Sequence, residues 1–235
     1  MTTLHAESPA RFDERTIVAP SDREAVPTSD IIVQSSHHDA AAQPLVEGLI
    51  QEYDGRYGAN SRPGGARSEL FRYPAEAFSA PLGDFILLQR EGRTIAGGAF
   101  MSHDDETAEL KRIWTHDDFR RQGLAERIVA ELEARAAALG YTRAYLTTGF
   151  RQPEATALYL KLGYRPLFDV TADPALYRSL PFEKLIGTAA GQPGTTPIYP
   201  PTASLEAATA RVAVLKREQE ALILARLAAH GVRAA

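Results

Sequence analysis

The tightest constraint on this chain is the run Arg120-Arg121-Gln122-Gly123-Leu124-Ala125. A strand-like segment, Ala108 to Thr115 (AELKRIWT), precedes it, and a helix-like segment from Leu124 to Leu139 follows. Glycine at a strand-to-helix corner lets a ligand approach the backbone with no side chain in the way. The first helical turn offers unpaired N–H groups and the positive end of the helix dipole, a seat for phosphate. Arg120 and Arg121 add mobile positive charge at the same corner. No Gly-Lys-Ser/Thr follows, so this is not a Walker loop, and the three-glycine dinucleotide fingerprint is missing.

The segments around this corner give an alternating order of elements. Asp30 to Gln34 (DIIVQ) reads as a first strand. From Asp39 onward, Leu45, Leu49 and Tyr53 share a helical face reinforced by Val46 and Ile50. Asn60 to Gly65 is a turn-rich loop, and Arg67 to Pro81 is irregular and aromatic. Strands are expected over Asp84–Gln89, Arg93–Met101 and Ala108–Thr115, with Glu91-Gly92 as a hairpin turn between the first two. The central helix carries a core stripe of Leu124, Ile128, Val129, Leu132, Ala136 and Leu139, and Gly140 ends it. Tyr141–Thr147 is the next strand, which closes a β-α-β unit. A short helix over Pro153–Leu162 and strands at Tyr164–Phe168 and Pro181–Ile186 complete the set.

Beyond Gly187 the chain changes character. Gly187 to Pro201 has linker composition. Ser204 to Ala229 is a long alanine-rich helix with Leu205, Ala208, Val212, Leu215 and Leu222 near heptad spacing, interrupted by Gln219. Such a helix either folds back on its own domain or forms a homodimer or partner interface, and so short a period does not choose between them. The expected organisation is a loose leader over 1–29, one domain over 30–186, a linker over 187–202 and a C-terminal helix over 203–235.

Composition narrows the function classes. A net charge of −4 argues against nucleic-acid binding. The absence of cysteine excludes disulfides, thiolate metal sites and cysteine nucleophiles. His37, His38, His103 and His116 lack metal-ligand spacing, so no metal is expected. The N-terminus has no apolar signal region and no run reaches membrane-spanning length, which points to a cytoplasmic protein with no membrane partner.

Two further segments agree in order and distance with the arginine-glycine corner. One is Gln152-Pro153-Glu154-Ala155 followed by Leu158, Tyr159, Gly163 and Tyr164; the other is Glu109 to Ile113. Together with Arg120–Ala125 they resemble the GNAT superfamily of acetyl-CoA-dependent N-acetyltransferases. Thr148 to Ala155 resembles a bacterial subgroup with a Thr-Gly-x-Arg-Gln-Pro-Glu-Ala segment. The resemblance covers roughly residues 31 to 186. It departs from the usual pattern at Ala125, in place of a second glycine, at Gln152, where asparagine is commonest, and at Thr115, where valine is usual.

This resemblance implies an α/β (α+β) fold: a mixed, mostly antiparallel sheet flanked by helices and splayed between its fourth and fifth strands at the acetyl-CoA site. It implies that Arg120, Arg121, Gln122, Gly123, Leu124 and Ala125 hold the coenzyme pyrophosphate. The backbone at Ile113, Trp114 and Thr115 would meet the pantetheine arm, with a further coenzyme contact at Gln152. Tyr159 matches the tyrosine that protonates the departing thiolate, and Glu109 the position of a base acting directly or through water. Strand alternation would put Glu109, Lys111, Ile113 and Thr115 on one face, and Leu110, Arg112 and Trp114 on the other. The implied function is direct acetyl transfer from acetyl-CoA to a small-molecule amine. The alternatives are a non-catalytic acyl-CoA-binding module with a partner-binding C-terminal helix, and an acetyltransferase acting on a protein or peptide.

Overall fold

The computed structural model describes residues 30–59 and 64–232; the leader expected over 1–29 and most of the Asn60–Gly65 loop lie outside the described residues. Seven strands form one sheet: β1 (Ile31–Gln34), β2 (Asp84–Arg90), β3 (Arg93–Ser102), β4 (Thr107–Thr115), β5 (Arg143–Gly149), β6 (Arg165–Pro166) and β7 (Ser179–Leu185). Their order is β1-β2-β3-β4-β5-β7-β6. Among the described strands only β4 and β5 pair in parallel, because the helix α3 (Leu124–Ala138) carries the chain back between them. The expected mixed, mostly antiparallel sheet is the observed one.

Helices cover both faces. On one side lie α3 and α4 (Pro153–Lys161); on the other lie α1 (Gln43–Tyr57), α2 (Gly65–Leu70) and the ends of α5 (Leu205–Ala229). With helices on both faces, β2 and β3 are buried almost throughout and read as continuous apolar runs rather than alternating ones. The stripe expected on α3 is buried at Leu124, Ile128, Val129, Leu132 and Ala136. Leu139 is the exception. It falls at the helix C-cap and is exposed, since the helix has already stopped there.

Three expectations need correction. The strand anticipated over Tyr164–Phe168 shrinks to Arg165–Pro166 at the sheet edge. Pro166 has no N–H to give to a ladder, and Phe168 bridges Tyr199 instead. In β4 the simple alternation fails. Arg112 has φ of 61°, and the β3–β4 register slips between Gly97 and Ala99. This bulge places Glu109, Lys111, Arg112 and Trp114 towards α1 and α2, and Leu110 and Ile113 towards α3.

The third correction concerns the seam residues of α5, a helix whose folding back is one of the two open expectations. The helix folds back on its own domain through Ala208, Gln219, Ile223 and Leu227, a stripe of helical rather than heptad period. Leu205, Leu215 and Leu222 stay exposed. Gln219 is not a defect in a seam: it is buried and donates to the Ser102 carbonyl at 3.3 Å. Ion pairs from Lys216 to Glu69, Arg72 to Glu220 at 3.3 Å and Arg226 to Asp105 at 2.8 Å fasten the helix along its length. The chain reaches it along β6 and β7, where the Thr196 carbonyl accepts from Arg165 at 2.6 Å and Tyr199 N–H donates to the Leu167 carbonyl at 2.8 Å.

Candidate active site

The site begins where two strands part. The β4–β5 ladder runs from Thr107↔Arg143 to Leu110↔Leu146 and then stops. Beyond it, Lys111–Thr115 and Thr147–Gly149 diverge, so the β5-facing edge of β4 has no strand partner among the described residues. An unpaired edge presents backbone donors and acceptors to any extended ligand. The bulge at Arg112 falls where the strands diverge, and β3 has glycine opposite it. A Cβ on Gly97 would sit 2.6 Å from Leu45 Cδ1 and 2.8 Å from the Ile86 carbonyl oxygen; one on Gly98 would sit 2.7 Å from Ile113 Cδ1. Helices thus close in on both faces at the point where the sheet opens.

The arginine-glycine corner lies just beyond that opening. Arg121 and Gly123 both have left-handed backbones, with φ of 61° and 75°, and α3 starts at Leu124 with no side chain capping it. The chain thereby turns so that the first N–H groups of α3 remain available to an anion. Its two arginines differ. Arg120 is paired with Asp117 at 2.7 Å, whereas Arg121 is exposed and makes no ion pair among the described residues. Gln122 accepts from Arg90 at 3.2 Å, and Ala125 is half-buried in the first turn. Trp114 packs against Gly48 in the α1-side core, so only its backbone reaches the unpaired edge. Thr115 has a buried hydroxyl with no hydrogen-bond partner among the described residues.

A cavity of about 510 Å³ opens beside the splay, on the α1/α2 face. Its walls come from β4, β5, the start of β7, the C-terminal half of α1, and the inward side of α5. Glu109 lies in that wall, 5% exposed, and holds Lys111 Nζ at 2.6 Å through Oε1. Burial pushes its pKa up, but Lys111 and then His103 outweigh burial and hold the carboxyl down at about 2. It is therefore ionised at any working pH. His103 Nδ1 stands 3.7 Å from Glu109 Oε2, too far for a hydrogen bond, and the imidazole stacks on Tyr145 at 4.8 Å. His103 Nδ1 and Glu109 Oε2 are both buried without a hydrogen-bond partner among the described residues.

His103 was not expected in the site. A signal for it existed in the hairpin register: Met101 pairs with Glu109 and Ser102 with Ala108, so His103 falls beside Glu109 on the same face. The acidic turn at Asp104-Asp105-Glu106 does not serve the cavity. Arg143 holds Asp104 at 3.2 Å and Arg226 holds Asp105 at 2.8 Å.

Tyr159 approaches from the opposite face. Its ring packs among Tyr164 at 5.6 Å and Phe182 at 5.8 Å in the α3/α4 core and does not line the cavity. Burial first, then Tyr53 and Glu52 of α1, raise the phenol above its ordinary pKa, so it stays protonated. The hydroxyl has no hydrogen-bond partner among the described residues. Gln152 is tied into the scaffold: its Oε1 accepts from Gly149 N–H at 3.0 Å and its Nε2 donates to Glu52 at 3.1 Å. It joins the end of β5 to α1. Glu109 and His103 are thus brought together in the cavity wall, with Tyr159 held apart from them.

A parted parallel strand pair, an uncapped helix start at its mouth and a cavity holding an ionised carboxylate are the features of an acyltransferase scaffold. The sequence pattern described as the acetyltransferase (GNAT) family matches residues 47–164, half of the chain, and the protein belongs to that family. Its chemistry is that of an acyltransferase. The uncharacterized N-acetyltransferase YjgM of Escherichia coli (strain K12) is 25% identical over 129 residues, which are 52% of this chain and 75% of the relative. Among solved structures, the PaiA N-acetyltransferase of Thermoplasma acidophilum in complex with coenzyme A superposes with a TM-score of 0.52 at 16% identity, covering 67% of this chain and 99% of that one. An acetyltransferase from Streptococcus agalactiae gives 0.52 at 17% identity, covering 67% and 98%. These two similarities are of fold. No helix among the described residues is long and apolar enough to cross a membrane.

Proposed function

We propose that the chain transfers an acetyl group from acetyl-CoA directly to the amine of a small molecule bound in the cavity beside the β4–β5 opening. The observation that carries this reading is a buried, ionised Glu109 with an unpartnered oxygen in a cavity that adjoins an unpaired strand edge. A buried carboxylate oxygen with no donor is costly unless a ligand supplies one, and an ammonium group does.

The coenzyme runs along the free edge of β4 at Ile113–Thr115, with its pyrophosphate at Gly123–Ala125 beneath the free guanidinium of Arg121. A backbone N–H of that edge polarises the thioester carbonyl. The amine docks against Glu109. A carboxyl held near 2 is a weak proton acceptor, so Glu109 orients the ammonium, and His103 takes its first proton. The neutral amine attacks the thioester carbon and forms the C–N bond. As the C–S bond breaks, sulfur takes the proton of Tyr159, and water returns to Tyr159 the second proton released from nitrogen.

The deciding experiment is titration with acetyl-CoA, with free CoA and a dinucleotide as controls, followed by an amine panel read by thiol release. Saturable micromolar binding selective for the CoA compounds, with amine-dependent release of thiol, is the expected result. The absence of CoA binding would remove the whole assignment. A chain without cysteine adds no thiol background of its own.

A further inference from the structure

The cavity walls are more cationic than a simple amine requires. Five cations line it against three carboxylates, in a chain of net charge −4. Four of the five are answered from within the protein. Lys111 is held by Glu109 and Lys216 by Glu69. Arg112 donates to His37 Nδ1 at 3.0 Å and to the Leu70 carbonyl, with its guanidinium 3.9 Å from the Phe78 ring centroid. Arg211 donates to the Pro200 carbonyl at 3.0 Å.

Arg178 is the fifth. It is half-buried in the cavity wall, and its side chain has no hydrogen bond or ion pair among the described residues. Glu218, the remaining carboxylate of the wall, is exposed on α5 and forms no ion pair with it. The Arg178 backbone is left-handed, with φ of 59°, an uncommon state for a side-chain-bearing residue and one that collects at functional sites. Two hydrogen bonds hold it there: its carbonyl accepts from Phe150 N–H and its N–H donates to the Pro174 carbonyl, both at 3.1 Å.

The position of Arg178 relative to Glu109 sets a length. Glu109 pairs with Tyr145, and Arg178 lies one position beyond the Gly149↔Ser179 pair, where its carbonyl meets Phe150 N–H, so it is five residues further along β5 and two strands across from β4. At strand rise and strand spacing that offset is about 17 Å along the sheet and about 10 Å across it, from which the reach of both side chains is subtracted. What remains fits a small molecule.

We infer that the acceptor is an amine that also carries an anionic group, a carboxylate in the first instance, with the anion on Arg178 and the amine at Glu109. This rests on the proposed function for the placing of the amine, but the recognition of the anion is testable without turnover. Charge-assisted pairing with a guanidinium in a partly buried wall gives both affinity and orientation.

The experiment is calorimetric titration of the full chain saturated with free CoA. The probes are the common α-amino acids, a series of ω-amino carboxylates of graded length, and the carboxamide of each. At least one amino carboxylate is expected to bind roughly 10- to 100-fold more tightly than its carboxamide, the effect of one charged hydrogen-bonded pair. In Arg178→Gln that ratio is expected to collapse to about threefold or less, and Arg178→Lys should retain part of it, since it keeps the charge without the fork. Equal binding of acids and carboxamides, no binding of any acid, or a preference that survives Arg178→Gln would overturn the inference. The wild-type comparison stands even if a variant misfolds. Acid-selective binding with no acetyl transfer in the thiol-release assay would sink the proposed function and leave this inference standing.

Discussion

Glu109 Oε2 and His103 Nδ1 lie 3.7 Å apart in the cavity wall, each buried and each without a hydrogen-bond partner among the described residues. Two unsatisfied polar atoms facing one cavity form an arrangement that a ligand completes. His103→Gln is expected to lower kcat by about two orders of magnitude or more, the contribution of a general base, and Glu109→Gln by about one to two, through lost orientation of the ammonium. Because the two act on one ammonium group, the double variant should lose far less than the product of the single losses. Fully multiplicative effects in steady-state kinetics would separate their roles.

Tyr159→Phe removes only an oxygen from a ring packed against Tyr164 and Phe182. Acetyl-CoA affinity should be kept while turnover falls by about tenfold or more, as for the loss of a proton donor. Undiminished turnover in the thiol-release assay would take Tyr159 out of the mechanism.

The two corner arginines should not behave alike. Arg121→Glu is expected to weaken acetyl-CoA binding by at least about tenfold, because an unpaired guanidinium becomes a like charge facing phosphate. Arg120→Glu should cost less, since Arg120 already spends its charge on Asp117. The order of the two dissociation constants, measured by calorimetry at one salt concentration, decides the point.

Gly97→Ala should destabilise the fold by about 1–3 kcal/mol, the usual range for overpacking. The new methyl would meet the Ile86 carbonyl oxygen at 2.8 Å, and backbone cannot yield as a side-chain tip can. Chemical denaturation would show whether the midpoint falls while the slope is kept.

Docking of α5 should depend on acid. Burial pushes the Glu69 carboxyl up, but Lys216 of α5 and then Arg72 bring it down to about 2 from an ordinary 4.5. A depressed folded-state value means that Glu69 adds stability above pH 4.5 and loses it as pH falls towards 2. Hydrogen exchange in α5 should therefore rise over that window, and Glu69→Gln should flatten the dependence. Equal acid sensitivity in that variant would place the effect on other carboxylates.

Much of this protein could be read from its residues because the signals were local. The α3 stripe, the glycine stop at Gly140 and the Glu91-Gly92 turn depend on neighbours a few positions away, and so does the corner at Gly123. Those features, with their order and spacing, determined the strand-helix-strand unit, the sheet class and the family. The sequence also singled out Glu109 and Tyr159, although not the distinct surroundings the fold gives them.

Tertiary structure decided the rest, because it turned on contacts between distant segments. A single left-handed residue, Arg112, reversed the facing of β4 beyond it, and strand periodicity carries no sign of a bulge. His103 joined Glu109 only through hairpin register. The buried stripe of α5 emerged as Ala208, Gln219, Ile223 and Leu227 only once the helix lay against its own domain, where Gln219 found the Ser102 carbonyl. Arg178 looks like any surface arginine along the chain. Its isolation in a charged wall exists only when α1, α5, β5 and β7 enclose one space, since whether a charge is paired depends on the fold and not on its sequence neighbours.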